Sequence, residues 1–316
     1  MVKIAVAGGS GNIAQEVIDA ILATKKHQIL ILSRKDAVDG VSPGTTWIKV
    51  NYEDPDQLTE ALQGVDTVLS FIVAHSDPGS VAQKKLIDAS VKAGVRRFAP
   101  SEWASSTFEH MPFYAGKADV REYLEKLNKD KKVLEYSLFQ PGLLINYLTY
   151  PYKSTNHIKP IATPFDFENR RALILEGSET SRITLTTAQD LANVVARAVD
   201  YEGEWPLVGG VKGGEVTLGG LIAIGEQIRG GPFKVERLNA DDLKAGVIKA
   251  SWKPPVVHPA FTPEQADTFA STITSGLLLG FAVEALNVSD EWNELLPDYK
   301  FTGIEEFLGE AWRNKP

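Results

Sequence analysis

Ile4-Ala5-Val6-Ala7-Gly8-Gly9-Ser10-Gly11-Asn12-Ile13-Ala14 decides how this chain is read. Four consecutive apolar residues suit a strand buried on both faces. After the glycines, Ile13, Val17, Ile18, Ile21 and Leu22 recur at helical spacing. A strand, a bare turn and a helix in that order form an anion site. The unpaired amides of the first helical turn point at the ligand, and the peptide dipoles favour negative charge there. Gly8 and Gly11 remove side chains that would block a dinucleotide diphosphate, and Ala14 is small enough for the helix to pack on the strand. Ser10, Asn12 and Ile13 complete the surface that such a ligand would touch. Glycines alone are a weak signal; directly after the opening strand they are a specific one.

The same alternation continues. Ile29–Leu32, Trp47–Val50, Thr67–Ile72, Arg97–Pro100 and Leu134–Phe139 read as further strands. Asp54-Pro55 opens one intervening helix, with the acid as cap and proline at its first position. Val81–Ala93, closed by Gly94, and Lys117–Leu127 are two more. Strand–helix alternation with short links requires parallel strands and right-handed crossovers. The fold class is therefore α/β, a doubly wound parallel sheet of the Rossmann type with a smaller C-terminal substrate lobe. Thr187-Ala188-Gln189-Asp190 reads as a helix start with a hydroxyl cap and an acid in the first turn. Beyond it lie a glycine-rich link at 209–220, a helix near 221–228 and a strand near 234–238. A proline-rich loop at 253–263, a helix at 264–284 and a terminal helix at 304–312 follow. The expected division is 1–146 with 187–200 as the dinucleotide domain, and 147–186 with 201–316 as the substrate lobe.

Composition narrows the function. The 316 residues contain no cysteine, which excludes disulfides, thiolate nucleophiles and cysteine-bound metals. A formal charge of −8 and scattered basic pairs argue against direct nucleic-acid binding. The five histidines show no metal-ligand spacing, so no metal is expected. The chain enters its first strand without a leader-like segment, and 276–285 is too short to span a bilayer. A cytoplasmic monomer or homodimer acting on a small molecule, with no membrane partner, is the simple expectation.

The end of the second strand chooses the cofactor. An acid there would bind the adenosine ribose of NAD; Ser33-Arg34-Lys35 stands there instead, about twenty positions past the turn. The planar guanidinium of Arg34, with Lys35 beside it, suits a 2′-phosphate, so NADPH/NADP is expected. Asp36 is one step late for the NAD role. Ile72, Val73 and Ala74 should line the crevice beyond the fourth strand. After the fifth strand, Ser101 and Glu102 are placed to bond the nicotinamide ribose or a substrate. Lys117 follows, where a cation would bind ribose hydroxyls and favour proton delivery to a developing alkoxide. Asn146, Tyr147 and Tyr150, with Trp103, could wall a substrate pocket with polar-tipped surface. Trp252 and His258 in the proline-rich loop could close over it, and His110 reads as a loop histidine.

Together, Gly8–Ala14, Ser33-Arg34, Arg97-Phe98-Ala99-Pro100-Ser101-Glu102-Trp103, Lys117 and Gln140-Pro141-Gly142 resemble the NmrA-like family of atypical short-chain dehydrogenases. The likeness is strongest to its isoflavone reductase and phenylcoumaran benzylic ether reductase branch, fungal type, across about residues 1–200. The resemblance implies an NADPH-dependent reductase of a small, aromatic or polyketide-like metabolite of secondary metabolism. It makes Lys117 the catalytic lysine and places Pro141 and Gly142 beside the nicotinamide.

Ordinary short-chain dehydrogenases pair tyrosine with a lysine four residues later. Here Phe113 occupies that place and Tyr114 lies three before Lys117. Tyr114 can serve as the acid if the helix already includes it; otherwise the proton comes from Lys117 or water. The resemblance also leaves a second reading open: some NmrA-like proteins bind NAD(P) without turning it over and regulate transcription through protein contacts.

Overall fold

The computed structural model describes residues 1–37, 44–256 and 262–316. His258 and its neighbours at 257–261 lie outside the described residues.

The first half contains β1 (Lys3–Ala7), α1 (Asn12–Ala23), β2 (Gln28–Ser33), β3 (Thr45–Lys49), α2 (Pro55–Ala61) and β4 (Thr67–Ser70). Then come α3 (Val81–Ala93), β5 (Arg97–Ala99), α4 (Ala115–Leu127) and β6 (Glu135–Tyr136). These six strands form one parallel sheet in the order β3-β2-β1-β4-β5-β6. The order reverses between β1 and β4, which opens a crevice at the strand carboxyl ends. Period-two geometry explains the unbroken apolar run of β1. Ile4 and Val6 join a core with α1, and Ala5 and Ala7 join one on the opposite face with Leu58, Leu86 and Val120 from α2, α3 and α4. Asp54 caps α2 by accepting from the amides of Asp56 and Gln57.

The second half contains β7 (Leu138–Gln140), β8 (Leu143–Leu144), β9 (Phe165–Asp166), β10 (Arg171–Leu175), β11 (Arg182–Thr186) and α5 (Ala188–Asp200). It continues with β12 (Val208–Gly210), β13 (Gly214–Thr217), α6 (Leu218–Arg229), β14 (Lys234–Leu238) and α7 (Ala240–Lys244). The chain closes with α8 (Pro263–Ala282), α9 (Glu291–Leu295) and α10 (Ile304–Ala311). Two small sheets, β14-β10-β9 and β13-β11-β8, carry the third core.

The strand expected over 134–139 is split. β6 pairs with β5, and past Ser137 the chain pairs β7 with β12 instead. β5 ends at Ala99 because Pro100 has no amide hydrogen to extend the ladder. Thr187 caps α5 as its sequence suggests, accepting from the Asp190 amide at 2.9 Å. α5 packs along α1 and buries Leu191, Val194 and Val195 in the core of the parallel sheet. Trp205, Val211, Trp292 and Leu296 join that same core, so packing crosses the boundary expected at residue 201.

Candidate active site

The glycine turn is built by its backbone. Gly8 has φ +72°, and a Cβ there would lie 2.8 Å from the Phe71 carbonyl oxygen. Its amide donates to Leu32 O at 3.3 Å, and Gly11 N donates back to Gly8 O at 3.0 Å. Gly11 is the N-cap of α1 and supplies no capping side chain, nor does the first turn hold an acid. The amides of Asn12 and Ile13 are therefore uncovered by any cap, and Ser10 and Asn12 are exposed beside them. The glycines let the turn pack closely on the end of β4 and on β2, and the helix start behind it is uncapped, which leaves amides free for a diphosphate.

Arg34 and Lys35 are exposed just past β2. Their backbone is fixed: Lys35 N donates to Ser33 Oγ at 3.1 Å, and Trp47 Nε1 donates to Lys35 O at 2.9 Å. Asp36 turns away to Lys49 at 2.9 Å, beside the exposed Arg34 and Lys35. Beyond β4, Phe71 is buried, Ile72 and Ala74 are half-buried and Val73 is 49% exposed.

Past β5, the loop of Ser101, Glu102 and Trp103 is held from several sides. Gln83 of α3 accepts from Ser101 N at 2.9 Å and from the Ser70 hydroxyl at 3.2 Å, tying the ends of β4 and β5 together. Lys117, in the first turn of α4, donates from Nζ to Ser101 O at 2.7 Å and to Glu102 O. Its ammonium lies 5.1 Å from the centre of the Tyr114 ring. Burial lowers the Lys117 amine to about 8; nearby Glu102 opposes this and Arg121 adds to it.

Tyr114 lies in a 3-10 turn and caps α4 with φ −102° and ψ 8°, so the α-helix does not include it. Its ring meets Phe113 and Phe108 edge-on, and burial, reinforced by Tyr147 and Glu102, pushes its hydroxyl above the usual range. Tyr147 packs against both the sheet core and the lobe core, and burial pushes its hydroxyl up to about 12.

Several expected residues take other positions. The Glu102 carboxylate is 1% exposed and pairs with Arg121, at 2.6 Å to Nη2 and 3.1 Å to Nε. Trp103 is 8% exposed, donates to Ser70 O at 2.8 Å and stacks between Phe71 and Phe139 with centroids 4.4 and 5.5 Å away. It is a core residue, and a large aromatic after a strand looks the same in sequence whether it faces core or pocket. Asn146 is buried too: it accepts from Ala188 N at 2.7 Å and donates to Ser154 and Gln189, anchoring the start of α5. Tyr150 is exposed and precedes Pro151. Pro141 and Gly142 are buried. Gly142 has φ +69°, and a Cβ there would collide with the Thr184 carbonyl oxygen, so backbone packing requires this glycine. Just before them, Gln140 Oε1 is buried without a hydrogen-bond partner among the described residues. His110 sits beside Glu109 at 3.4 Å. Among the described residues no group of three or more acids and histidines is placed to hold a metal, and no helix is long and apolar enough to cross a membrane.

The model of the NmrA-like family matches residues 2–308. The chain belongs to the NmrA-like family. It is 26% identical over 342 aligned residues to an oxidoreductase, swnN, of Metarhizium robertsii, covering 100% of this chain and 98% of that one. It is 25% identical to the oxidoreductase BOA1 of Botryotinia fuckeliana, covering 95% and 97%. Among solved structures, the NADPH complex of quinone oxidoreductase QOR2 from Escherichia coli superposes with a TM-score of 0.71, at 18% identity over 98% of this chain and 99% of that one. The NmrA-like chain thus shares its overall fold with that structure. Sequence reading missed Arg121 and Gln83; Arg121 left one signal, its position four residues after Lys117 on the same helix face.

Proposed function

We propose that this protein is an NADPH-dependent reductase of a small, aromatic or polyketide-like metabolite. One observation carries the reading: an uncapped glycine turn, the Arg34 and Lys35 cations and the buried amine of Lys117 all stand at carboxyl ends of one parallel sheet. The oxidoreductase names of its full-length relatives support it, as does a related fold solved with NADPH bound.

The amides at Gly11, Asn12 and Ile13, with Ser10, would hold the diphosphate, and Arg34 and Lys35 the 2′-phosphate. Ile72, Val73 and Ala74 would line the crevice, with Ser101 beside the ribose. When bound, NADPH supplies the hydride. Lys117 has three ammonium protons and two already serve the carbonyls of Ser101 and Glu102. The third is available to a substrate oxygen or a ribose hydroxyl. An amine at about 8 is matched to giving up a proton near neutral pH, better than the raised hydroxyls of Tyr114 or Tyr147. The aromatic surface of Phe108, Phe113, Tyr114 and Tyr147 near this amine suits a planar, apolar substrate.

Single-turnover oxidation of bound NADPH, followed at 340 nm (the absorption of the reduced nicotinamide) against phenolic, quinone and polyketide panels, tests the reading. Wild-type turnover that disappears in Lys117→Met supports it. A panel that stays inert while NADPH binds tightly would favour cofactor sensing over catalysis.

A further inference from the structure

Arg121 lies one helical turn beyond Lys117 on α4, and both side chains reach into the same loop. Lys117 takes the carbonyls of Ser101 and Glu102. Arg121 takes the rest: Nε and Nη2 bond the Glu102 carboxylate, Nη1 donates to Ser106 O at 2.7 Å, and Nη2 donates to Ser105 O at 2.9 Å. The guanidinium carbon also lies over the Phe108 ring, 4.0 Å from its centre. One planar group thus gathers the loop from Glu102 to Phe108, which a lysine ammonium could not copy. Glu102 sits between Lys117 and Arg121, with its backbone on the lysine and its carboxylate on the arginine. The other groups facing the amine are the Tyr114 ring below it and, near that ring, the Tyr147 hydroxyl.

We propose that Arg121 is a positioning residue for Lys117: by clamping Glu102 and the carbonyls of Ser105 and Ser106, it holds the loop that orients the amine and fixes the balance of charge around it. The proposal rests on the reading of Lys117 given above. Arg121 touches neither reacting atoms nor cofactor and acts only through Glu102 and the loop.

The charges make the proposal testable without a known substrate. Glu102 favours the ammonium form of Lys117, and Arg121 disfavours it. Removing the arginine unmasks the carboxylate as well, so both effects raise the titration midpoint of Lys117. Neutralising the carboxylate lowers it. A residue that merely braced the loop would not give shifts of opposite sign.

The experiment follows the Lys117 Cε resonance in full-length protein labelled with 13C-lysine, assigned by its loss in Lys117→Met. Samples of wild type, Arg121→Ala, Arg121→Lys and Glu102→Gln are titrated from pH 6 to 11. The expected result is a midpoint raised in Arg121→Ala, lowered in Glu102→Gln and little changed in Arg121→Lys. Once a substrate is found, Arg121→Lys should lower kcat by about tenfold to a hundredfold with KM nearly unchanged, because the loop carbonyls lose their fork. Coincident midpoints in wild type, Arg121→Ala and Glu102→Gln would overturn the proposal. Should Arg121→Ala not fold, an unshifted Glu102→Gln overturns it alone, and a lowered midpoint there with unchanged Arg121→Lys supports it. Calorimetry with NADPH on the same samples keeps the two readings apart. Absent binding by wild type removes the reductase reading, whereas unshifted midpoints with intact binding remove only the role of Arg121.

Discussion

Lys117 Nζ stands 2.7 Å from the carbonyl oxygen of Ser101, so a side chain on α4 is fastened to the loop that leaves β5. The amine is buried, nearly saturated with backbone acceptors and next to an aromatic ring. The expectations below follow from it and from the turn across the crevice.

The buried amine makes stability depend on pH. Its folded-state value is about 8, below the 10.5 of a free lysine. Between those values the unfolded chain binds the extra proton, so stability rises with pH through this window, and the lysine weakens the fold below it. Urea denaturation of wild type and Lys117→Met should show the wild type gaining on the variant between about pH 8 and pH 10. A difference that stays constant across this range would show that the amine is not perturbed.

Tyr114 lies outside α4 and its hydroxyl resists ionisation. Tyr114→Phe keeps the ring beneath the ammonium and should keep kcat within about twofold, a loss well under that of a lost general acid. A drop of a hundredfold in single-turnover rate would give the proton-donor role back to the tyrosine.

Trp103 is expected to act on stability and not on substrate affinity. It is stacked against Phe71 and Phe139 and bonded to Ser70 O. Trp103→Ala should cost about 3–5 kcal/mol in chemical denaturation. Trp103→Phe, which preserves the stack, should leave KM unchanged. A raised KM with normal stability in Trp103→Phe would place the ring in the pocket after all.

Gly8→Ala tests the turn. A methyl group would press on the Phe71 carbonyl in a backbone region that L-residues avoid. Destabilisation of about 1–3 kcal/mol is expected, with weakened NADPH binding. Unchanged affinity and melting temperature would mean that the turn has room to spare.

What the sequence disclosed follows physical lines. β1 and β2 are buried on both faces, so their apolar runs, Ile4–Ala7 and Ile29–Leu32, are unbroken and plain to read. Caps were legible for the same local reason: Asp54 and Thr187 bond amides two or three residues away. The lobe was opaque because β8, β9 and β12 are two or three residues long and owe their extension to partners far along the chain. The split at Ser137 depends on Pro100, thirty-seven positions earlier, ending the neighbouring strand. Around Lys117, residue types did not disclose the direction of side chains. Glu102 and Asn146 carry groups suited to ligands and spend them on Arg121 and on the start of α5.

If Arg34 holds the 2′-phosphate as proposed, this crevice should prefer NADPH to NADH. Isothermal titration of purified protein with NADPH and with NADH, repeated on Arg34→Ala, tests it most directly. NADPH should bind more tightly than NADH, by about ten- to a hundredfold for a charge-assisted phosphate fork, and that preference should vanish in the variant. No heat with NADPH, or an equal affinity for both cofactors that Arg34→Ala leaves untouched, would contradict it.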